Sequence, residues 1–284
     1  MQENIKHTES KMSSFEAAFA FLRNRFGYDF SGYASTTINR RAENFLLKEQ
    51  IATPDQLLEK LKDEKMFHVK FAEALTVNFT EMFRDNSFFI SLKQKVLPYL
   101  ATYPSVKIWH AGCSTGEEVY SLAILLYELD LLHKTKIYAT DLNNSCLAVA
   151  SGGLYSFERI RNYTENYRKS GGRNDFSMYY EACNNGVRFR GFLKENITFF
   201  QHNLATDNSF NEFHLILCRN VLIYFNRDLQ NRAVALFGDS LINLGYLAIG
   251  NRENLLFNDQ RSNFAFIDKE EKIYRKVIFS AQLL

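Results

Sequence analysis

The chain has little of what staples or anchors a protein. Its four cysteines, Cys113, Cys146, Cys183 and Cys218, are scattered and form no C-x-x-C pair, so neither a disulfide framework nor a structural zinc site is expected. Prolines number only three and glycines 13, and no low-complexity segment or internal repeat interrupts the sequence. No apolar run is long enough to span a bilayer. The polar start, from Met1 to Met12, lacks the apolar stretch of a secretory signal. A net charge of +2 argues against a general nucleic-acid binder, although a local basic patch is compatible with it. These absences predict a cytoplasmic protein, not membrane-embedded, with no nucleic-acid partner and no metal site.

What is present is a large potential core. The 284 residues are 46% hydrophobic and 23% charged, ordinary for a globular chain of one large or two smaller domains. The 26 Phe and 15 Tyr should be mostly interior, because aromatic rings bury large areas.

One stretch organises the rest, V-K-I-W-H-A-G-C-S-T-G-E-E-V-Y at 106–120. An apolar run (Val106, Ile108, Trp109) reads as a buried strand, Gly112 and Gly116 as a tight turn, and Tyr120, Leu122, Ala123, Leu125 and Leu126 as an apolar-periodic helix. Open α/β sheets bind nucleotides at such a turn, where glycine admits close backbone approach at a helix N-terminus. Here Glu117 and Glu118 open the helix, where a dinucleotide site would hold pyrophosphate. Two carboxylates repel phosphate and suit a cationic ligand with hydroxyls, which S-adenosylmethionine (SAM) is. The macrodipole alone also favours acids in a first turn, so other segments must carry part of the assignment.

N-terminal to this stretch, 14–74 reads as an all-helical domain. Residues 36–49 are amphipathic, with Ile38, Ala42, Phe45 and Leu46 on one face, and Pro54 opens a helix capped by Thr53. Arg40, Arg41 and Lys48 are a solvated face or a docking surface for an acidic partner. The sheet domain is expected over 75–284. It begins with L-T-V-N-F-T-E-M-F-R-D at 75–85, where Asn78, Thr80 and Arg84 either line a ligand cleft or cap a helix beginning near Glu81. A second strand at 136–140 ends at Asp141, placed to accept two ribose hydroxyls or to cap the helix that follows. After a change of composition at 155–192, Asn184-Asn185-Gly186 between short strands signals a hairpin, hence a small β-rich insertion at about 171–193. A strand at 196–201 ends at His202-Asn203-Leu204, and the apolar stretch 213–225 supplies a strand ending in Arg219-Asn220, with Tyr224 shortly beyond. Strand carboxyl ends are where open parallel sheets take ligands. A helix at 229–244, a strand at 246–249 and an antiparallel pair at 264–267 and 272–278 close the chain.

Four segments together resemble the CheR family of chemotaxis receptor methyltransferases: N-F-T-E-M-F-R-D (78–85), A-G-C-S-T-G-E-E-V-Y-S (111–121), A-T-D-L-N (139–143) and L-C-R-N-V-L-I-Y-F (217–225). They stand in family order, and the similarity runs from the helical module to near the C-terminus. The resemblance implies an α/β, Rossmann-like SAM-dependent methyltransferase sheet domain with an all-helical N-terminal domain and a small inserted β-subdomain. It implies SAM contacts at Asn78, Thr80, Arg84, Glu118, Asp141, Asn203, Leu204, Arg219 and Asn220, beside the Gly112 turn, and puts Arg84 and Tyr224 near methyl transfer. The implied reaction converts glutamate side chains on chemoreceptor cytoplasmic helices to methyl esters, leaving S-adenosylhomocysteine, with Arg40 and Arg41 docking the receptor. Glutamate, with a pKa of about 4.3, is already ionised near neutrality and needs no base. One departure is Gly250-Asn251-Arg252-Glu253-Asn254, where such enzymes often carry G-x-S-E-N; the added cation is placed to alter substrate docking. The insertion varies within the family, so docking of a receptor tail peptide there does not simply carry over. Methylation of another protein or a small carboxylate, and a SAM-binding scaffold without turnover, stay open at this point.

Overall fold

A computed structural model describes residues 15–76 and 78–277. The polar start, the first residue of the expected helical domain (Ser14), and Ile278 of the expected last strand lie outside the described residues. Among the described residues no helix is long and apolar enough to cross a membrane. The chain divides into two compact units. One takes in 15–76 and Tyr224–Gln230, the other 78–223 and 231–277.

The first unit holds four helices, α1 (Glu16–Phe26), α2 (Ser35–Lys48), α3 (Pro54–Asp63) and α4 (Phe67–Leu75). Local chemistry sets their ends. Gly27, at φ +77°, closes α1 by donating its N–H to the Arg23 carbonyl at 3.0 Å, a left-handed cap that glycine adopts without strain. The Thr53 hydroxyl accepts the Gln56 N–H at 3.2 Å while Pro54 occupies the first turn, as the sequence predicts. The apolar face of α2 is also as expected, with Ile38, Ala42, Phe45 and Leu46 all buried. Phe45 packs on Phe71 with ring centroids 5.0 Å apart.

Arg41 departs from its sequence reading. It is half-buried, and its Nε donates to the Ala74 carbonyl at 3.0 Å and its Nη2 to that of Thr76. These are acceptors at the open C-terminal end of α4, where backbone carbonyls lack helical partners. The guanidinium is thus committed within the unit, and of the two expected docking arginines only Arg40 is exposed. Tyr224–Gln230 joins this unit through backbone bonds from Ala34 N–H to the Tyr224 carbonyl and from Asn226 N–H to the Gly32 carbonyl, both 2.8 Å.

The second unit is built on a sheet of seven strands: β1 (Val106–Ala111), β2 (Thr135–Asp141), β6 (Ile197–Gln201), β7 (Phe213–Cys218), β8 (Leu241–Ile249), β9 (Phe264–Asp268) and β10 (Ile273–Lys276). Their order is β6-β2-β1-β7-β8-β10-β9. The first five run parallel, and β10 runs antiparallel to both its neighbours, β8 and β9. Parallel strands need helical crossovers and are covered on both faces, which explains the continuous burial of β1 and β7. The helices are α5 (Asn86–Lys95), α6 (Leu97–Leu100), α7 (Glu117–Glu128), α8 (Asn144–Gly152), α9 (Phe157–Lys169) and, from Asn231 on, α10 (Arg227–Ser240). Residues 119–126 of α7 are all buried, so it sits as a core helix and not as a half-wet amphipathic one. From β1 the chain moves outward to β2 and β6, then returns to β1's other side at β7. The β1/β7 boundary is the switch point where such sheets open a ligand crevice.

Several element boundaries differ from expectation. The helix expected near Glu81 starts at Asn86, because Phe83 (φ +51°) and Asp85 (φ +57°) hold left-handed backbone that a helix cannot contain. The helix expected over 229–244 ends at Ser240, and β8 has already begun at Leu241. Leu244, at φ +63°, and a register shift against β7 hide that strand's alternation. The hairpin expected around Asn184-Asn185-Gly186 is present within 171–193, and the insertion's sheet and an α-helix extend N-terminal to that span. Its three-stranded sheet, in the order β3-β5-β4, joins β3 (Leu154–Tyr155) to the hairpin of β4 (Tyr180–Cys183) and β5 (Gly186–Phe189). The 13-residue α9 lies inside it, burying Tyr163 and Tyr167 one turn apart.

Candidate functional site

The carboxyl ends of β6, β2, β1 and β7 stand side by side, and the motif residues gather there. Leaving β1, the chain turns through Gly112, at φ +80°, whose N–H shares the Thr140 carbonyl with that of Cys113, at 2.8 and 2.9 Å. A Cβ on Gly112 would lie 2.5 Å from Cγ2 of Val221. Gly112→Ala is therefore expected to cost about 2 kcal/mol or more in chemical denaturation, from backbone strain plus overpacking. Adding Val221→Ala should recover only the overpacking part. Ser114 follows at φ +50° and Gly116 at φ +91°; left-handed backbone at a non-glycine residue such as Ser114 is a strain that functional loops store.

This loop is tied to β2 by Asp141. Its Oδ2 accepts the Ser114 N–H at 2.8 Å and its Oδ1 the Asn143 N–H at 2.9 Å. The alternative reading of Asp141 as a helix cap does not hold, since Asn143 caps α8 by accepting the Cys146 N–H. Burial pushes the Asp141 carboxyl above its usual range, and its backbone N–H bonds only partly offset that. A carboxylate carries about four lone-pair sites, so its backbone N–H donors leave Asp141 able to accept a further hydroxyl. On its other side the Asp141 carbonyl takes the His202 N–H at 3.2 Å, which brings in the end of β6. There Asn203 is buried and turns its Oδ1 to the Ala205 N–H at 2.9 Å, and Leu204 beside it is buried as well.

At the β1/β7 switch point lies an ion triad. Arg219, with 1% of its side chain exposed, donates from Nη1 to Glu118 and from Nη2 to Asp85 at 2.7 Å. The guanidinium also lies over the Phe88 ring, 3.9 Å from its centroid, a cation–π contact strengthened by desolvation. Glu118 faces His110 on its other oxygen, Nδ1 to Oε1 at 3.4 Å. Burial works to raise the Glu118 carboxyl, yet the Arg219 charge and His110 outweigh it and draw it down to about 2. Glu118 is therefore an anion across the working pH range.

Glu117 turns elsewhere. It is fully buried, accepting from the Thr115 hydroxyl, Arg159 and the Tyr163 hydroxyl. Of the two acids expected to face a cation, only Glu118 stands at the strand ends, where with Asp141 it makes up the acidic crescent of the site.

The segment 78–85 reaches the same place through Asp85 and through the Arg84 carbonyl, 3.5 Å from Nη1 of Arg219. Arg84 is half-buried and stacks on Phe79 at 5.6 Å. Phe79 is 72% exposed, unusual for an aromatic flanked by the exposed Asn78 and half-buried Thr80. Asn220, at φ +60°, is held by its N–H to Glu253 at 3.0 Å. Tyr224 belongs to the helical unit and is half-buried there. Sequence reasoning missed His110, Asp85 and Glu253 as contributors. Glu253 is buried and accepts the N–H groups of Gly250, Asn220 and Ile223, so the Glu of the 250–254 turn is a backbone clamp for the end of β7.

The donor set fits a nucleoside with a cationic tail. The Ser114 hydroxyl and Arg219 Nε are buried without a hydrogen-bond partner; such groups carry a desolvation cost until something pairs with them. The two unpartnered groups can donate to a ligand's carboxylate, while the lone pairs left on Glu118 and Asp141 suit ammonium and hydroxyl donors. A parallel sheet ending in an antiparallel pair, with this glycine turn and acidic crescent, defines a Rossmann-like SAM-dependent methyltransferase.

Comparison with known proteins narrows the class. The family description "CheR methyltransferase, SAM binding domain" matches residues 78–273, and "CheR methyltransferase, all-alpha domain" matches 13–76. The chain belongs to the CheR methyltransferase family, with SAM as its methyl donor. Among similar proteins, a Pseudomonas putida protein named as a methyltransferase, Cher3, is 44% identical over 89% of this chain and 92% of its own. A chemotaxis protein methyltransferase of Listeria innocua is 31% identical over 83% of this chain and 87% of its own. Another, of Borreliella burgdorferi, is 29% identical over 90% and 92%.

Proposed function

We propose that this protein methylates glutamate side chains on the cytoplasmic helices of chemoreceptors, forming glutamyl methyl esters in chemotaxis adaptation. The names of the Listeria and Borreliella relatives support the chemotaxis setting. The observation that supports the site best is the acidic crescent, Glu118 held ionised and Asp141 clamped at the turn.

When bound, SAM supplies a methyl group on a positively charged sulfonium and departs as S-adenosylhomocysteine. In this reading Asp141 accepts a ribose hydroxyl and Glu118 attracts the ammonium. Gly112 admits close approach, and Asn203 and Leu204 meet the adenine. Asn78, Thr80, Arg84, Arg219 and Asn220 complete the contacts. The acceptor, ionised above a pKa of about 4.3, gives up no proton, so alignment and exclusion of water are what remain for the protein to provide. For Arg84 and for Tyr224 the family resemblance supports a hydrogen bond to the acceptor carboxylate. One acceptor oxygen must stay free, since a tight clamp on both would blunt the nucleophile.

Receptor helices near methylation sites are acidic, and the exposed Arg40 suits them; Arg41, committed to carbonyls, is the weaker candidate. Arg40→Glu is expected to raise KM for receptor severalfold while leaving SAM affinity unchanged, measured by steady-state kinetics and calorimetry. Weakened SAM binding instead would point to a structural role. In the insertion, β4 is an edge strand, suited to pairing with an extended receptor tail peptide.

The activity is tested with methyl-labelled SAM and chemoreceptor-containing membranes. Label released as methanol by base supports the carboxylate acceptor; label that survives base indicates N-methylation and overturns it.

A further inference from the structure

We infer that Arg159, on the inserted subdomain, is a positioning residue that sets the glycine loop for the methyl donor by acting through Glu117 and Thr115. The inference rests on the SAM site proposed at that loop.

Thr115 lies between the two left-handed residues of the loop, Ser114 and Gly116, and its hydroxyl and carbonyl are both held. Its hydroxyl donates to Glu117 Oε2 at 2.6 Å, and its carbonyl accepts the Tyr155 hydroxyl at 2.7 Å. The other oxygen of Glu117 accepts from Arg159 Nη1 at 2.8 Å and from the Tyr163 hydroxyl at 3.1 Å. Tyr155 lies on β3 and Arg159 and Tyr163 on α9, so the insertion reaches Thr115 directly through Tyr155 and, by way of Glu117, through Arg159 and Tyr163. The loop has no slack there, because a Cβ on Gly116 would meet Ala150 Cβ at 2.8 Å and the Tyr155 hydroxyl at 3.2 Å. One residue away, the Ser114 N–H sits on Asp141, the proposed ribose acceptor. The chain from Arg159 to Asp141 is thus continuous, through Glu117, Thr115 and Ser114.

Arg159 is the only full positive charge paired with Glu117 among the described residues. Burial pushes the Glu117 carboxyl upward, and Arg159 is among the groups that draw it back. An ionised Glu117 accepts from Thr115 on one oxygen and from α9 on the other. Loss of Arg159 loosens that carboxylate, frees the Thr115 hydroxyl and lets the strained turn relax away from the geometry that puts Ser114 on Asp141.

The test uses the full chain and four variants, Arg159→Ala, Arg159→Lys, Glu117→Gln and Asp141→Ala. Arg159 is 54% exposed, so its truncation should fold; Glu117→Gln is a second probe that keeps the buried volume. Arg159→Ala is expected to weaken S-adenosylhomocysteine binding in calorimetry by about tenfold. It should raise KM for SAM similarly, hold kcat at saturating SAM within about twofold, and speed amide exchange at 113–116. Arg159→Lys, which restores the charge, should recover most of the affinity. If Arg159→Ala binds like wild type while Asp141→Ala binds weakly, the positioning role is overturned and the donor site stands. If Asp141→Ala also binds like wild type, the donor site itself is wrong and the inference falls with it.

Discussion

Arg219→Ala is expected to remove about 3 kcal/mol of stability and to abolish measurable methyl transfer. The guanidinium is almost wholly buried, joins Glu118 to Asp85 and lies against Phe88. Breaking a buried pair from one side costs about 3–5 kcal/mol because the stranded charge keeps its desolvation penalty. Here two carboxylates are stranded, but Glu118 and Asp85 retain 18% and 25% of their side-chain exposure, which argues for the lower end. The pH dependence identifies the cause. Glu118 is held near 2 in the folded protein, below its usual carboxylate range. Its contribution is therefore fully present above about pH 4.5 and is lost as pH falls toward 2. The stability gap between wild type and Arg219→Ala, from denaturant melts at each pH, should narrow over that interval. A gap of constant size down to pH 2 would mean that lost packing on Phe88, and not the ion triad, accounts for the destabilisation. Arg219→Lys should recover only part, since an ammonium cannot reproduce the two-pronged fork.

Asp141→Ala should raise the dissociation constant for SAM about 100-fold. A hydroxyl bond to a carboxylate is worth about 1.5–3 kcal/mol before the cost of ordering the ligand, and 100-fold corresponds to about 2.7 kcal/mol. The substitution also releases the Ser114 and Asn143 N–H groups, so part of the loss comes through the loop. Asp141→Asn keeps the shape and one acceptor oxygen, and about a tenfold loss is expected. Calorimetry with S-adenosylhomocysteine separates the cases, and a dissociation constant unchanged in both variants would remove Asp141 from the site.

Much of this arrangement is legible in the amino-acid sequence alone. The apolar run ending at Ala111, the glycines at 112 and 116 and the helical period from Glu117 each report a local physical constraint, and β1, the turn and α7 follow them. The Thr53–Pro54 start of α3 and the buried face of α2 are legible for the same reason. What stays hidden depends on partners distant in sequence. Glu117 and Glu118 differ by about 100° around a helix, and only the placement of α9 shows that Glu117 points into the insertion. Asp85 and Arg219 are 134 residues apart, so their pairing leaves no periodic trace. Arg41 sits on a polar helix face, and nothing local reveals that the carbonyls of Ala74 and Thr76 come within its reach. Positive φ at Phe83, Asp85 and Leu244 moved element boundaries because such strain is imposed by tertiary packing and not by residue preference.

The most direct measurement is a crystal structure of the protein grown with S-adenosylhomocysteine. The expected density lies at the carboxyl ends of β6, β2, β1 and β7, with a ribose hydroxyl on Asp141 and the ammonium on Glu118. Density elsewhere, or a ligand in that crevice with neither carboxylate in contact, would contradict the account.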